Sequence, residues 1–303
     1  MRVDPYYVAN LANSLDQTQL TEEQLTAELS SGVRVNSLSQ DPEAAGENVL
    51  LLNQIQQDDS FTQSSSLVQG QFQVADSALG SVVSQLTEAI SLATSANNGT
   101  LNSSDLQSVS NQIAGIRDEV TALANSSYQG QYIFAGGQAS TAPFSTSSAT
   151  SPATTTYNGD SDIDYLQTPN GQTIQLNVPG DQIFSAPGAN NVFTALNNLV
   201  ADYANGAPTA TSVSDTESLN TALNYVSSQR VVIDNSLTRL NAASDAVTTA
   251  QTQLTTAQTN LMQADLPTVS TQLSLAETQQ TALEDVISQL GTGSLFDKLP
   301  PGG

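Results

Sequence analysis

From Val226 to Leu261 an apolar residue falls at every seventh position: Val226, Ile233, Leu240, Val247, Leu254 and Leu261. A seven-residue repeat sustained this long specifies a long α-helix with one apolar seam, and such a seam needs another helix to cover it. Taken with the Ser214-x-x-Glu217 capping box before it, the pattern predicts a helix of about 45 residues, or about 70 Å if unbroken. The N-terminal end answers on the same three-four spacing with Val8, Leu11, Leu15, Leu25 and Leu29, with Thr18 and Glu22 as polar exceptions. A chain with matching helices at its two ends and a polar stretch between them folds back on itself. Its termini are then free to bundle with copies of themselves.

The first helix is expected over 5–29, stopped by a Ser31-Gly32 C-cap. Residues 33–40 read as an irregular or extended link. Asp41-Pro42-Glu43 restarts a helix, with Asp41 as N-cap, Pro42 in the first helical position and Glu43 favourable in the first turn. It runs to about Ala96, carrying Phe72, Ala75, Leu79, Val82, Leu86, Ala89 and Ala93 in one stripe; Gly70 and Gly80 weaken it locally. A capping box at Ser104 and Gln107 opens a third helix, with Leu106, Val109, Ile113, Ile116, Val120 and Leu123 in register.

From Tyr128 to about Phe193 helical periodicity gives way to Gly, Pro, Ser and Thr. Ile174, Leu176 and Val178 alternate with polar residues, as a half-buried strand does. Asn158-Gly159 and Asn170-Gly171 read as hairpin turns, and 140–156 reads as a low-complexity surface excursion. Helix returns over 192–203. Asp265-Leu266-Pro267 interrupts the long heptad helix with at least a kink. A last helix carries Val269, Leu273, Ala276, Leu283, Ile287 and Leu290.

The expected fold is therefore mainly α with an inserted β domain: paired N- and C-terminal coiled-coil helices, a long antiparallel helical bundle and a small outer β domain. The divisions are 1–40 plus 266–303, 41–127 plus 196–265, and 128–195. The inner helices can satisfy one another as a bundle. The outermost pair have only each other, and two helices enclose too little core to be stable alone. They are expected to be disordered in the free chain and to order on polymerising. The stripe residues Val8, Leu11, Leu15, Leu25, Leu29, Val269, Leu273, Leu283, Ile287 and Leu290 are then the candidate subunit interface. Arg34, next to Asn36 and before the Asp41-Pro42 start, is either half of a local salt bridge or part of a structured joint between domains.

Composition closes other routes. Six Lys plus Arg against 29 Asp plus Glu leave a net charge of −23, too negative for a nucleic-acid surface or for an anionic membrane. There is no Cys and no His, which removes thiol chemistry, the commonest general base and the commonest metal ligand. No apolar run is long enough to span a membrane, and the first residues lack the basic and apolar regions of a cleaved secretory signal. Asp160, Asp162 and Asp164 superficially resemble a calcium loop, but Gly171 stands where a bidentate Glu is required. No catalytic residue, cofactor or metal is expected, and the chain is not expected to be an enzyme.

Several strings then fall into a known order. Ser31-Gly32-Val33-Arg34-Val35-Asn36, followed by Asp41-Pro42 and Ala44-Ala45, resembles the junction between the first two helical domains of the flagellin superfamily. Gln129-Gly130-Gln131-Tyr132-Ile133-Phe134-Ala135-Gly136, then Pro143-Phe144, Tyr157-Asn158-Gly159 and Pro179-Gly180-Asp181, resembles its hook–filament junction family, that of hook-associated protein 3. Ser294-Leu295-Phe296-Asp297-Lys298-Leu299 fits the same family. Departures are Val33 for a basic residue, Gln40 for a second acid, and Pro267 in a stretch usually continuous.

The resemblance implies a secreted structural subunit of the extracellular flagellum, exported through the flagellar type III apparatus without signal cleavage. Its partners would be hook-associated protein 1, flagellin, copies of itself in the junction layer, and a cytoplasmic export chaperone on the C-terminal helices. Gly130, Tyr132, Phe134 and Gly136 would be its family motif. Alternatives are a flagellin filament subunit, or a secreted adhesin acting through the outer domain.

Overall fold

A computed structural model describes residues 5–188, 191–206, 208 and 210–292. In chain order it has helices α1 (Pro5–Ser31), α2 (Pro42–Asn97) and α3 (Ser103–Ala124). Three two-stranded antiparallel ribbons follow: β1 (Ser127–Tyr128) with β2 (Gln131–Tyr132), β3 (Phe144–Ser147) with β4 (Thr154–Tyr157), and β5 (Tyr165–Gln167) with β6 (Thr173–Gln175). Helices α4 (Gly180–Phe184), α5 (Val192–Ala204), α6 (Ala210–Met262) and α7 (Leu266–Thr292) complete it. The chain divides into two units, one of residues 1–56 and 250–303 and the other of 57–249.

In the second unit the expected stripes become one core. Leu79, Val82, Leu86, Ala89 and Ala93 of α2, Ile113 and Val120 of α3, and Val226 and Leu240 of α6 are fully buried in a single cluster. Polar contacts fix the pairing direction. The guanidinium of Arg230 binds the Asp76 carboxylate through Nε and Nη2, while near the other end of α2 the Asn97 side chain meets Ser212 and Thr216. Rising numbers on α2 therefore face falling numbers on α6, an antiparallel pair. Tyr203 of α5 is fully buried and donates to Ala93 O or Asn97 Oδ1, at 3.1 and 3.0 Å, so the polar end of this core is satisfied.

Two of the three α2 glycines face side chains of other elements. A Cβ at Gly70 would collide with the Tyr128 phenol, and one at Gly80 would sit 3.6 Å from the Arg230 guanidinium. Gly70 is thus a notch that lets the Tyr128 ring lie across the helix, whereas a Cβ at Gly80 would make only ordinary contact.

The β region is not one sheet. Its β3–β4 ribbon shares an aromatic core with α4 and α5: Phe144 lies 5.1 Å from Tyr157, 5.5 Å from Phe184 and 5.0 Å from Phe193 between ring centroids. Several sequence expectations need correction here. The 140–156 stretch is not a mere excursion but forms the β3–β4 ribbon, because Phe144 is buried at its start and Thr146 meets Thr155 across it. Asn158-Gly159 is no hairpin turn; it follows β4, and Gly159 is there because Tyr157 and the Ala135 carbonyl leave no room for a Cβ. Asn170-Gly171 does lie in the β5–β6 turn, where Gly171 has φ +83° and donates to Thr168 O.

Helix starts also move. The cap of α3 is Asn102, whose side chain accepts from Asp105 N at 3.0 Å, and Ser104 is already inside the helix. Asn is as good a cap as Ser, and it puts Asp105 in the first turn. Likewise α6 begins at Ala210, upstream of the Ser214–Glu217 box, and has 53 residues. Helix α4 carried no sequence signal, being a single short turn.

Two outcomes test this core. Phe144→Ala removes the ring common to three aromatic pairs and should cost about 3–5 kcal/mol by denaturant unfolding, without changing the helical signal at low denaturant. The Asp76 carboxyl is held below its ordinary value of 3.8, first by hydrogen bonding from Arg230 against the opposing effect of partial burial. A depressed folded value means stabilisation that is present above about pH 4 and lost as pH falls through it. Asp76→Asn should thus lower stability at pH 7 by at most about 1 kcal/mol, the pair being partly exposed. That difference should vanish in melts at about pH 2; a constant difference across the range would rule out the ion pair as its cause. Asp202 has the opposite sign: burial and then Asp215 raise it, so its cost at neutral pH eases on acidification.

Candidate assembly surface

Two chain breaks meet in the first unit. Between α1 and α2, Gly32 takes φ +69° and accepts from Ala264 N at 3.0 Å, while Arg34 N donates to Met262 O at 2.7 Å. Val33 and Gln263 form an antiparallel bridge. Pro267 therefore does more than kink the heptad helix: α6 ends at Met262, and Asp265 caps a new helix by accepting from Val269 N and Thr268 Oγ1. The break opposite the α1–α2 link gives that link a backbone to pair with.

Arg34 has partners on both sides of the break, all within the first unit. It pairs with Asp41 at 3.1 Å, and its Nη2 donates to Leu261 O at 3.2 Å across the joint. Asp41 caps α2 by accepting from Ala44 N at 3.0 Å, Pro42 is the first helical residue, and Asn36 donates through Nδ2 to Val33 O. The Ala44 hydrogen bond and Arg34 hold the Asp41 carboxyl below its usual value. Gln40, the departure from an acid, accepts from the Asn36 and Ser37 amides, closing the link without a second charge.

Helices α1 and α7 run antiparallel, with Cα atoms of the two within 8 Å. Of the interface residues read from the sequence, Leu25 and Val269 are buried together with Leu273 packed against them, joined by Ala264 and Ala276. Leu11, Leu15, Leu283 and Ile287 are half-buried, and Leu29 is 38% exposed. The side chains of Val8 and Leu290 and the 294–299 string lie outside the described residues. The seam reading missed a second set: Leu20 is 65% exposed, Leu275 58% and Val286 38%. Each is out of register with the seam, and that is the signal that could have found them.

The lining of the pair is polar. One groove of about 510 Å³ is bordered by Ser14, Thr18, Thr21, Ala276 and Leu283. Another of about 610 Å³ holds Gln19, Glu22, Glu23, Thr26 and Gln280. Neither brings a nucleophile to a base, and no metal-holding group of three His, Cys, Asp or Glu occurs among the described residues. No described helix is long and apolar enough to cross a membrane.

The expected motif residues are structural. Gln129 (φ +50°) and Gly130 (φ +82°) form the two-residue turn between β1 and β2, and Tyr132 ends that ribbon half-buried. Phe134 is buried edge-to-face on Phe184 at 5.5 Å. Gly136 (φ +65°) leaves the space its Cβ would need to Asp160, whose Oδ1 also accepts from Gly137 N at 2.6 Å. The first acid of the Asp160, Asp162 and Asp164 run is thus turned onto backbone amides. Burial, and then Asp181, push the Tyr157 phenol up to about 12, so it stays a donor, to Asp160 O at 2.7 Å or Phe134 O at 3.0 Å.

Residues 6–139 match the bacterial flagellin N-terminal helical region. The chain is 30% identical over 209 residues to flagellar hook-associated protein 3 of Escherichia coli, covering 65% of this chain and 63% of that protein. It is 31% identical over 169 residues to the protein of the same name in Salmonella typhimurium, covering 55% and 51%. The alignments thus span less than two thirds of either relative. The crystal structure of flagellar hook-associated protein 3 from Legionella pneumophila superposes with a TM-score of 0.60 at 12% identity, over 70% of this chain and 98% of that one, and shows a common fold. Residues 6–139 therefore resemble the bacterial flagellin N-terminal helical region, and the chain shares its fold with the Legionella pneumophila hook-associated protein 3 structure.

Proposed function

We propose that this chain is a structural subunit of the bacterial flagellum that forms the junction layer between hook-associated protein 1 and the flagellin filament. The observation that carries this reading is the state of the α1–α7 pair. Its buried apolar set is Leu25, Ala264, Val269 and Ala276, with Leu273 packed on it, while Leu20, Leu29, Leu275 and Val286 stay exposed. Two helices with so small a core gain most of their stability from neighbours. The interface is read as Leu11, Leu15, Leu25, Leu29, Val269, Leu273, Leu283 and Ile287 on described side chains, with Val8 and Leu290 continuing the seam by sequence.

In this reading the terminal pair serves the axial core, the 41–127 and 196–265 helices carry it, and the 128–195 region faces outward. The joint at Arg34, Asn36, Asp41 and Pro42 connects the first two along the chain. Export through the flagellar type III apparatus without signal cleavage, with a cytoplasmic chaperone on α7, suits a helix that has little to bury alone. The subunit does its work by binding and not by catalysis. A flagellin role is the second reading, favoured by the match to the flagellin N-terminal helical region.

Removing the gene should leave hooks without filaments and flagellin shed into the medium, as seen by electron microscopy. Normal filaments on the hooks would sink the junction role, and a chain that dominates sheared filaments would be a flagellin instead. At the residue level, α1 and α7 amides should exchange hydrogen quickly in the free, dilute chain and slowly in hook–filament particles, while α2, α3 and α6 amides of the second unit are protected in both. Slow exchange of α1 and α7 in the free chain would contradict ordering on assembly.

A further inference from the structure

Asn-Gly steps occur at 98–99, 158–159, 170–171 and 205–206, and the fold treats them differently. In such a step the glycine nitrogen can attack the Asn side-chain carbonyl, because no Cβ stands in the way. The bond from the glycine nitrogen to Cγ forms, the Cγ–Nδ2 bond breaks, and ammonia leaves with the glycine amide proton. Water then opens the resulting succinimide at either carbonyl, leaving Asp or isoaspartate. The reaction needs a glycine nitrogen released from hydrogen bonding, a side chain that can swing onto it, and water.

Three of these steps are restrained. Gly171 N donates to Thr168 O at 2.9 Å, and Asn170 Oδ1 accepts from Thr168 Oγ1. Gly206 N donates to Tyr203 O at 3.0 Å. Asn158 donates through Nδ2 to Ser145 Oγ at 3.1 Å and through its backbone N to Pro143 O at 2.7 Å. Its glycine is wedged as well, with the Tyr157 phenol and Ala135 O where a Cβ would stand.

Asn98-Gly99 has no such hold. It lies between α2 and α3, Asn98 is exposed, and the Asn98 side chain makes no hydrogen bond among the described residues. Gly99 N reaches Ala96 O only at 3.5 Å, the outer limit of hydrogen bonding. With φ +70°, Gly99 has nothing within 4 Å of the place a Cβ would take, so water has access. The preceding residue is the contrast, since Asn97 is tied to Ser212, Thr216 and Tyr203.

We propose that Asn98-Gly99 is a self-modification site, at which the folded chain forms a succinimide and acquires isoaspartate or Asp. This goes beyond the assembly role and does not rest on it. The product places a carboxylate just past the C-terminus of α2, where the helix dipole disfavours it. The turn is exposed, however, and its two ends stay anchored by Asn97 and by the Asn102 cap of α3, so the fold survives the change.

The test ages the full chain at mildly alkaline pH. Digestion after Glu88 and before Asp105 isolates segment 89–104, in which mass spectrometry localises the replacement of NH by O. Protein isoaspartate methyltransferase with a labelled methyl donor then counts isoaspartate. Asn98 should convert first, within about tenfold of its rate in a synthetic 89–104 peptide. Freeing a hydrogen-bonded amide slows a step by roughly two- to tenfold, so Asn170 and Asn205 should trail by at least that, and Asn158 with them. Asn98→Gln, whose longer side chain disfavours the ring, should remove most of the isoaspartate while its circular dichroism matches the parent. Conversion of Asn158, Asn170 or Asn205 as fast as Asn98 would overturn the assignment. So would an Asn98 that reacts more than about tenfold slower in the chain than in the peptide, because the fold would then protect it. Undiminished isoaspartate in Asn98→Gln would place the reaction elsewhere and sink the proposal too.

Discussion

The packing of α6 against α2 and α3 is the constraint on which the second unit depends. Val226, Ile233, Leu240 and Val247 are all buried there, in one cluster with the α2 stripe from Phe72 to Ala93. Burial of this kind contributes roughly 1.5–3 kcal/mol per large aliphatic side chain, so four seam residues outweigh any surface pair in this chain. Everything else in that unit is placed by this core. Tyr128 crosses α2 at Gly70, and Asn97 joins α2 to α6 and Tyr203. Arg239 reaches from α6 to the Thr173 carbonyl of β6 at 2.8 Å, and so ties the β5–β6 ribbon to the helix.

The same seam continues into the first unit with weaker burial. Leu254 and Leu261 are half-buried, and the helix ends one residue later at Met262. The termination is chemical. Pro267 cannot donate in a helix interior, so the chain restarts with Asp265 as the cap and Pro267 inside the first turn, where the missing N–H has no cost. The released backbone at 262–264 then pairs with the α1–α2 link through Gly32 and Arg34. Pro267 thus belongs to an intact joint, because the break it causes lies opposite another break.

Long-period signals were legible from the sequence, and short-range geometry was not. Seven-residue spacing found α6, three-four spacing found the α2 and α3 stripes, and Asp41-Pro42 marked the start of α2 correctly. Periodicity integrates over many residues, so single errors average out. Caps did not fare as well: Ser104 and Ser214 each satisfied a capping pattern while the helix began upstream, since Ser and Thr abound and such patterns recur by chance. The Gln129-Gly130 turn escaped because Gln rarely takes a positive φ, and the neighbouring β1–β2 pairing is what holds it there. Gly136 and Gly159 were visible only as glycines. Their reason, the close approach of Asp160 and of Tyr157 with Ala135, is a three-dimensional fact.

Acidity and the scarcity of cations give the chain a particular economy of charge. With a net charge of −23, most carboxylates have no cation to meet, and the surface relies on amides and hydroxyls for solvation. The described arginines are spent where two elements must be held in register: Arg34 at the joint, Arg117 between α3 and α5, Arg230 between α2 and α6, Arg239 between α6 and β6. A bidentate guanidinium suits that use better than an ammonium, since it fixes direction as well as distance. Helices α1 and α7 receive none. Their mutual packing must therefore come from small residues and a few aliphatic contacts, Leu25, Val269 and Leu273 with Ala264 and Ala276.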